Sequence, residues 1–322
     1  MKKNINKIYP SENSVVSVLI ITYNELNLLK KEVDSIIRHT NNKIDLYVID
    51  GGSDDGTIEY IVDHPLIIPV LQKKLVGGVR AYNPVMKKLK TKYICWLSGD
   101  TELTPNILDT VINILDNDSQ IGLVGLKMKD TIGPWANDDY LGAVSMYGIL
   151  NCNHGVIRSD ILKSIGFLDE KYIGYMFDPD LTTMVLCCGS KVVMTKKVGV
   201  LHHREWSVDE EREKVAVINR KEMMAQGIEV YKDKYFLFNK FLNTRPYRIK
   251  YFIWIYLKRI ISKINYKYIV LFLLGSNKRD IRNIFTARFI NIFDKIICLY
   301  KPYHLVQSIP IKYLNKYYNK YL

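Results

Sequence analysis

Short apolar runs alternate with amphipathic stretches over the first 126 residues. The run VVSVLII at residues 15–21 is rich in β-branched residues and lies between polar segments, which predicts a strand buried on both faces of a sheet. Further strands are predicted at residues 44–49, 93–97 and 121–126. Helical spacing of apolar residues predicts helices at 28–38, from 55 toward 62, and from Pro105 through 115. This alternation predicts an α/β sandwich with a mostly parallel central sheet.

Polar residues collect directly after three of these strands. They are TYNE at residues 22–25, DGGSDDGT at 50–57 and SGDTE at 98–102. In open parallel sheets, ligands bind outside the carboxyl ends of the strands, because helix N-termini point there and the loops are free of packing. The sequence therefore predicts a ligand site along this edge.

Two polar clusters lie farther along, where the alternation weakens. His202-His203 follows a predicted strand at residues 191–195, and Asp178-Pro179-Asp180 follows a helix-like stretch at 159–165. The acidic cluster is either part of a site or a helix start with Asp178 as its N-cap.

Asp100-Thr101-Glu102 is a candidate for metal binding, and a solvated turn is the alternative for these residues. Carboxylates one residue apart after a buried strand can hold Mg²⁺ or Mn²⁺, which bind few protein groups and take further oxygens from substrate phosphates. His202 or His203 could add an imidazole ligand.

As an ordered set, these segments resemble the inverting family 2 glycosyltransferases of the GT-A fold, of the type that makes bacterial polysaccharide or O-antigen. The matching segments are VSVLIITYNE (16–25), VIDGGSDDGT (48–57), GGVRAYN (77–83), YICWLSGDTELTPN (93–106), GFLDEKYIGYMFDPDL (166–181) and VLHH (200–203). They cover roughly residues 15–205. The resemblance implies transfer of a sugar from a nucleotide-sugar donor to a glycan or a lipid-linked saccharide.

The resemblance also implies roles for single positions. Asp50 is expected to bind the nucleotide base, and Asp178 to be the catalytic base, with Phe177 where the family has Glu. The implied nucleotide-sugar site is Thr22, Tyr23, Glu25, Asp50, Arg80, Ser98 and Gly99. The implied site for Mn²⁺ or Mg²⁺ is Asp100, Glu102, His202 and His203. The sequence does not decide which histidine is a ligand, or whether Arg80 reaches phosphate or is a solvated surface charge.

Charge divides the chain into two parts. Residues 241–322 contain 16 Lys and Arg against two acids, a net charge of +14, which leaves residues 1–240 at −1. We therefore predict an N-terminal tail (1–14), a GT-A domain (15–240) and a basic, aromatic-rich helical region (241–322). In the last, an apolar helix face flanked by basic residues predicts a helix lying on an anionic membrane surface. That face comprises Ile253, Tyr256, Leu257, Ile260, Ile261 and Ile264.

A membrane span is disfavoured there, because four basic residues interrupt the apolar stretch and each costs at least about 2.5 kcal/mol at mid-bilayer. The basic N-terminus precedes an apolar run too short for a signal peptide. We expect a cytoplasmic protein attached peripherally to the cytoplasmic face of a membrane. A helical subdomain packed on the core is the alternative for the tail.

Two other functions are compatible with parts of the pattern. A nucleotidyltransferase could use a similar scaffold, and a nucleic-acid-binding protein could use the basic, aromatic tail. We expect no nucleic-acid partner, because the sequence has no recognised binding module and its strand-end loops are acidic.

Overall fold

The computed structural model describes residues 12–133, 136, 139–142, 147–203, 220–237, 290, 301–309 and 314. The helices are α1 (Leu26–His39), α2 (Thr57–Asp63), α3 (Gly78–Met86), α4 (Ile107–Asn117), α5 (Ser159–Ser164), α6 (Phe177–Cys187) and α7 (Arg220–Lys234). The strands are β1 (Val16–Thr22), β2 (Ile44–Asp50), β3 (Ile67–Leu71), β4 (Tyr93–Ser98), β5 (Thr101–Leu103), β6 (Ile121–Asp130), β7 (Asp139–Tyr140), β8 (Gly155–Arg158), β9 (Lys191–His202) and β10 (Tyr303–Gln307).

All ten described strands belong to one sheet with the order β10-β9-β6-β8-β4-β1-β2-β3, while β5 pairs with β9 and β7 with β6. Strands β1 to β4, β6 and β9 point the same way, and β8 lies antiparallel between β4 and β6. Six of the ten strands are thus parallel in direction, which confirms the predicted mixed α/β fold with a mostly parallel sheet.

The core lies on both faces of this sheet. Leu19 packs in one apolar cluster, while its neighbours Val18 and Ile20 pack in the other. Because successive side chains of a strand point to opposite faces, a strand covered on both sides is apolar at nearly every position. This is why residues 15–21 do not alternate; Ser17 is the exception, and its buried hydroxyl hydrogen-bonds that of Thr91.

The predicted strands at 15–21, 44–49, 93–97 and 121–126 are confirmed as β1, β2, β4 and β6. The prediction that a helix begins at Pro105 was wrong, because α4 begins at Ile107 after Asn106. The acidic cluster does lie at a helix start, but the N-cap of α6 is Met176 and Asp178 lies in the first turn. The strand predicted at 191–195 extends to His202, because it pairs with both β6 and β5.

The predicted membrane-facing helix face falls outside the described residues. Within residues 241–322, the described part includes β10, which pairs antiparallel with β9 at Tyr303↔Thr195 and His304↔Met194. The Gln307 side chain is buried and binds both backbone groups of Leu150, at 2.9 and 2.8 Å. The basic region therefore contributes a strand to the central sheet.

Helix α7 is fixed against α6 by a buried polar network. Lys234 contacts Asp180 at 2.9 Å and Asp169 at 3.0 Å, and the Tyr235 hydroxyl donates to Asp180 at 2.7 Å. In the part of the chain that the structure describes, every helix is too short or too polar to cross a bilayer.

Candidate active site

The carboxyl ends of β1, β2 and β4 meet at one edge of the sheet. The register pairs Thr22 with Asp50, and Ile21 with Ser98, so the three polar loops predicted to form a site are neighbours. Parallel pairing requires this, since aligned strands end at the same edge.

Asp50 is fully buried and organises the loop that follows β2. One carboxylate oxygen accepts hydrogen bonds from the backbone N–H groups of Gly52 and Ser53, at 2.8 and 2.9 Å, and the other accepts from the Ser53 hydroxyl. These hydrogen bonds to the Asp50 side chain hold the loop in its conformation.

A close approach of backbone to side chains marks the next loop. A Cβ added at Gly99 would lie 2.7 Å from Thr22 Oγ1 and 2.9 Å from Glu25 Oε2. Only glycine leaves this space open. Thr22 Oγ1 is buried without a hydrogen-bond partner, Tyr23 and Glu25 are partly buried, and Arg80 is exposed on α3.

The four predicted metal ligands form two separate pairs. His202 Nε2 lies 3.1 Å from Asp100 Oδ2, and its Nδ1 lies 3.1 Å from Asp130 Oδ1. His203 Nε2 instead lies 3.2 Å from Glu102 Oε2. Among the described residues, no three His, Cys, Asp or Glu side chains converge as a metal site.

Charge pairing dominates the electrostatics around His202. Burial lowers the pKa of His202, but its hydrogen bonds to Asp100 and Asp130 outweigh burial and raise the pKa to about 9. Burial likewise opposes ionisation of Asp100, yet its bond to His202 and the charge there hold the pKa of Asp100 well below its usual range. Near neutral pH the pair is an imidazolium and a carboxylate.

Asp178 is held at the start of α6 by two amides. The Nδ2 groups of Asn151 and Asn153 both donate to its Oδ2, the latter at 3.2 Å. Burial raises the pKa of Asp178 to about 7, and the bond from Asn151 only partly opposes this. A carboxyl with a pKa near neutrality is suited to general acid–base work.

Comparisons with known proteins identify a family and a fold. Residues 17–176 match the model for Glycosyl transferase family 2. The chain carries a family 2 glycosyl transferase domain.

Relatives and solved structures extend the match. An uncharacterized glycosyltransferase of Rickettsia prowazekii is 33% identical over 198 residues, covering 56% of this chain and 59% of the relative. One from Rickettsia typhi is 30% identical over 182 residues, covering 52% and 57%. The chain thus spans less than two thirds of the length of these relatives. The structure of S. aureus TarS 1–349 in complex with UDP covers 62% of this chain and 63% of that chain, with 15% identity and a TM-score of 0.50, and shows the likeness of fold. The fold is that of the GT-A glycosyltransferases.

Sequence reasoning missed several polar groups of the glycosyl transferase domain. Asn151 and Asn153 contact Asp178, and Asp130 contacts His202. The signal was the polar string Asn151-Cys152-Asn153-His154 immediately before a strand. It was overlooked because β8 is only four residues long and was not predicted.

The candidate site therefore contains two groups with different chemistry. Asp178 is a carboxyl of raised pKa that can accept a proton, and the Asp100–His202 pair carries opposite charges near neutral pH. The string at residues 151–154 connects them, since Asn153 bonds Asp178 and the His154 ring lies 6.4 Å from that of His202.

Proposed function

We propose that this protein transfers a sugar, with inversion, from a nucleotide-sugar donor to a hydroxyl group of a glycan or lipid-linked saccharide, as in bacterial polysaccharide assembly. The observation that carries the proposal is Asp178, a carboxyl with a pKa of about 7 held by two amides within a family 2 fold. The comparisons give no support to a nucleotidyltransferase or a nucleic-acid-binding protein.

Asp178 is the proposed base. The acceptor oxygen forms a bond to the anomeric carbon of the donor as its proton passes to Asp178, and the bond from that carbon to the diphosphate oxygen breaks on the opposite face. Both amides bind Oδ2 of Asp178, so neither occupies Oδ1. The nucleoside diphosphate leaves with the bonding electrons.

Asp100 and His202 are proposed to serve the diphosphate. A carboxylate and an imidazole 3.1 Å apart fit Mn²⁺ or Mg²⁺ completed by diphosphate oxygens. Such a cation, when bound, would stabilise the charge that develops on the leaving group. His202 must give up its Nε2 proton to act as a ligand. Glu102 and His203 remain proposed contributors, although they are paired with each other.

The strand-end loops are proposed to bind the nucleotide. Thr22 has an unused hydroxyl oxygen facing Gly99, and Tyr23 and Glu25 flank it on the loop after β1. Asp50 and Ser98 complete this edge of the sheet, and Arg80, an exposed cation on α3, is proposed to bind phosphate.

The basic region is proposed to bring the enzyme to its acceptor. Its net charge of +14 favours anionic lipid, with each Lys or Arg near the surface worth about 1 kcal/mol. We propose peripheral attachment to the cytoplasmic face through residues 241–322, with residues 15–240 as the catalytic domain. Strand β10 ties that region to the catalytic sheet.

Donor hydrolysis tests the proposal. Purified protein is incubated with a panel of UDP- and GDP-sugars, with Mn²⁺, with Mg²⁺ and with EDTA, and released nucleotide is measured. We expect hydrolysis of at least one donor, abolished in Asp100→Ala and retained in Asp63→Ala, an exposed carboxylate at the end of α2. Near wild-type turnover of Asp100→Ala with saturating Mn²⁺ would show that this residue has no role in the reaction.

A further inference from the structure

Unpartnered polar atoms are concentrated on one short segment beside Asp178. In the described part of the chain, seven buried side-chain oxygen or nitrogen atoms have no hydrogen-bond partner. Three of them are Asn151 Oδ1, Asn153 Oδ1 and His154 Nδ1. Native proteins satisfy nearly all such atoms, because a buried polar atom without a partner destabilises the fold. Three such atoms within four residues offer hydrogen-bond acceptors to a ligand.

The orientation of these groups is fixed by their other contacts. Because the Nδ2 groups of Asn151 and Asn153 are donors to the Asp178 carboxyl, their Oδ1 atoms must point elsewhere. The His154 ring bonds the backbone of Trp96, which leaves Nδ1 as its free atom. All three atoms are therefore hydrogen-bond acceptors without a donor among the described residues.

The backbone of the segment is also held in place from several sides. The Cys152 N–H donates to Thr182 Oγ1 at 3.1 Å, and the Trp96 indole N–H donates to the Asn153 carbonyl at 3.0 Å. Gln307 clamps the preceding residue, Leu150, from β10. A segment restrained by α6, β4 and β10 is preorganised for binding.

The position of the segment identifies what it can bind. Asn153 contacts Asp178 at one end, and His154 lies against His202, the partner of Asp100, at the other. In the proposed reaction, the transferred sugar must lie between the base and the leaving diphosphate. A sugar ring carries several hydroxyl donors, which match a row of acceptors.

We propose that Asn151, Asn153 and His154 form the subsite for the transferred sugar and select donors that present hydroxyl groups to these three acceptors. This inference rests on the proposed function and adds the residues that determine donor specificity. Asn151 and Asn153 also position Asp178, whereas His154 has no contact with the base among the described contacts and gives the cleaner test.

The first experiment uses the wild-type protein. The donor that it hydrolyses best is compared with each monodeoxy analogue of the same sugar. We expect at least one analogue to lose about 10- to 100-fold in kcat/KM, since it would leave a buried acceptor unpaired. Equal kcat/KM for the parent and every deoxy analogue would overturn the inference, even though donor hydrolysis itself upheld the proposed function. No binding or hydrolysis of any nucleotide sugar would overturn both.

The second experiment assigns the effect to His154. In His154→Phe, which retains a ring but no acceptor, the discrimination between parent and deoxy donor should fall at least several-fold, mainly through KM. His154→Gln, which keeps an acceptor atom, should recover part of it, and His64→Phe, at the C-cap of α2, should behave as wild type. Circular dichroism checks that each variant is folded. Unchanged discrimination in folded His154→Phe, or a change confined to the KM of the acceptor, would refute a donor-sugar subsite. If His154→Phe does not fold, His154→Gln is the test, and its ratio of kcat/KM between the parent and deoxy donors must then be smaller than that of wild type.

Discussion

Replacing Asp178 with asparagine should abolish activity and, above neutral pH, stabilise the fold. Asparagine has nearly the same shape, and its side-chain oxygen can still accept the amides of Asn151 and Asn153. It cannot take a proton from the acceptor, so we expect a loss of about 10²- to 10⁴-fold in turnover. Donor binding should be largely preserved, because the proposed role of Asp178 is to take the proton of the acceptor.

The gain in stability follows from the direction of the pKa shift. Burial raises the pKa of Asp178 from 3.8 to about 7, so between these values the folded protein keeps a proton that the unfolded chain has released. The stability from this carboxyl is fully present below pH 3.8 and is lost as pH rises toward 7. At about 1.4 kcal/mol per pH unit, the loss is on the order of 4 kcal/mol, and less where partial exposure allows screening by water.

Urea unfolding at pH 5 and pH 8 measures this difference. The stability advantage of Asp178→Asn over wild type should be larger at pH 8 than at pH 5, while Asp63→Asn should match wild type at both. Wild-type activity should rise with pH through about 7 as the base ionises. The reasoning is refuted if both proteins show the same pH dependence of stability, or if wild-type rates are flat between pH 5 and 8.

Three further predictions concern other parts of the molecule. Lys234→Ala should destabilise the fold by about 3 kcal/mol, because it leaves buried Asp180 without its cation, whereas exposed Lys232→Ala should have little effect on urea unfolding. Gly99→Ala should weaken nucleotide-sugar binding measured by calorimetry, since its Cβ would lie 2.7 Å from Thr22 Oγ1; unaltered affinity would contradict that placement. A truncation after residue 240 would remove β10 from the central sheet together with the basic residues. Membrane attachment is therefore better tested by glutamine substitutions of four basic residues. These are Lys258, Arg259, Lys263 and Lys267. Flotation with anionic liposomes at low salt should decrease, and an unchanged result would refute the interfacial role.

The elements that sequence predicted best are those governed by local rules. The strands β1, β2 and β4 are mostly apolar because both faces of these strands are covered, and each ends in a polar loop. The missed elements have weaker local signals. Helix α3 contains Pro84, and β5, β7 and β8 have at most four residues. Their structure depends on partners distant in sequence.

By itself the sequence determined the α/β class, the parallel strands, the edge at which the polar loops meet and the family. These follow from hydrophobic periodicity and ordered motifs, which are properties of neighbouring residues. Only the tertiary structure decided that His202 rather than His203 pairs with Asp100, that two asparagines hold Asp178, and that β10 joins the sheet. Contacts between residues far apart in the sequence bring these groups together, and burial then sets the pKa of Asp178. Neither these contacts nor that pKa can be obtained from the local sequence pattern.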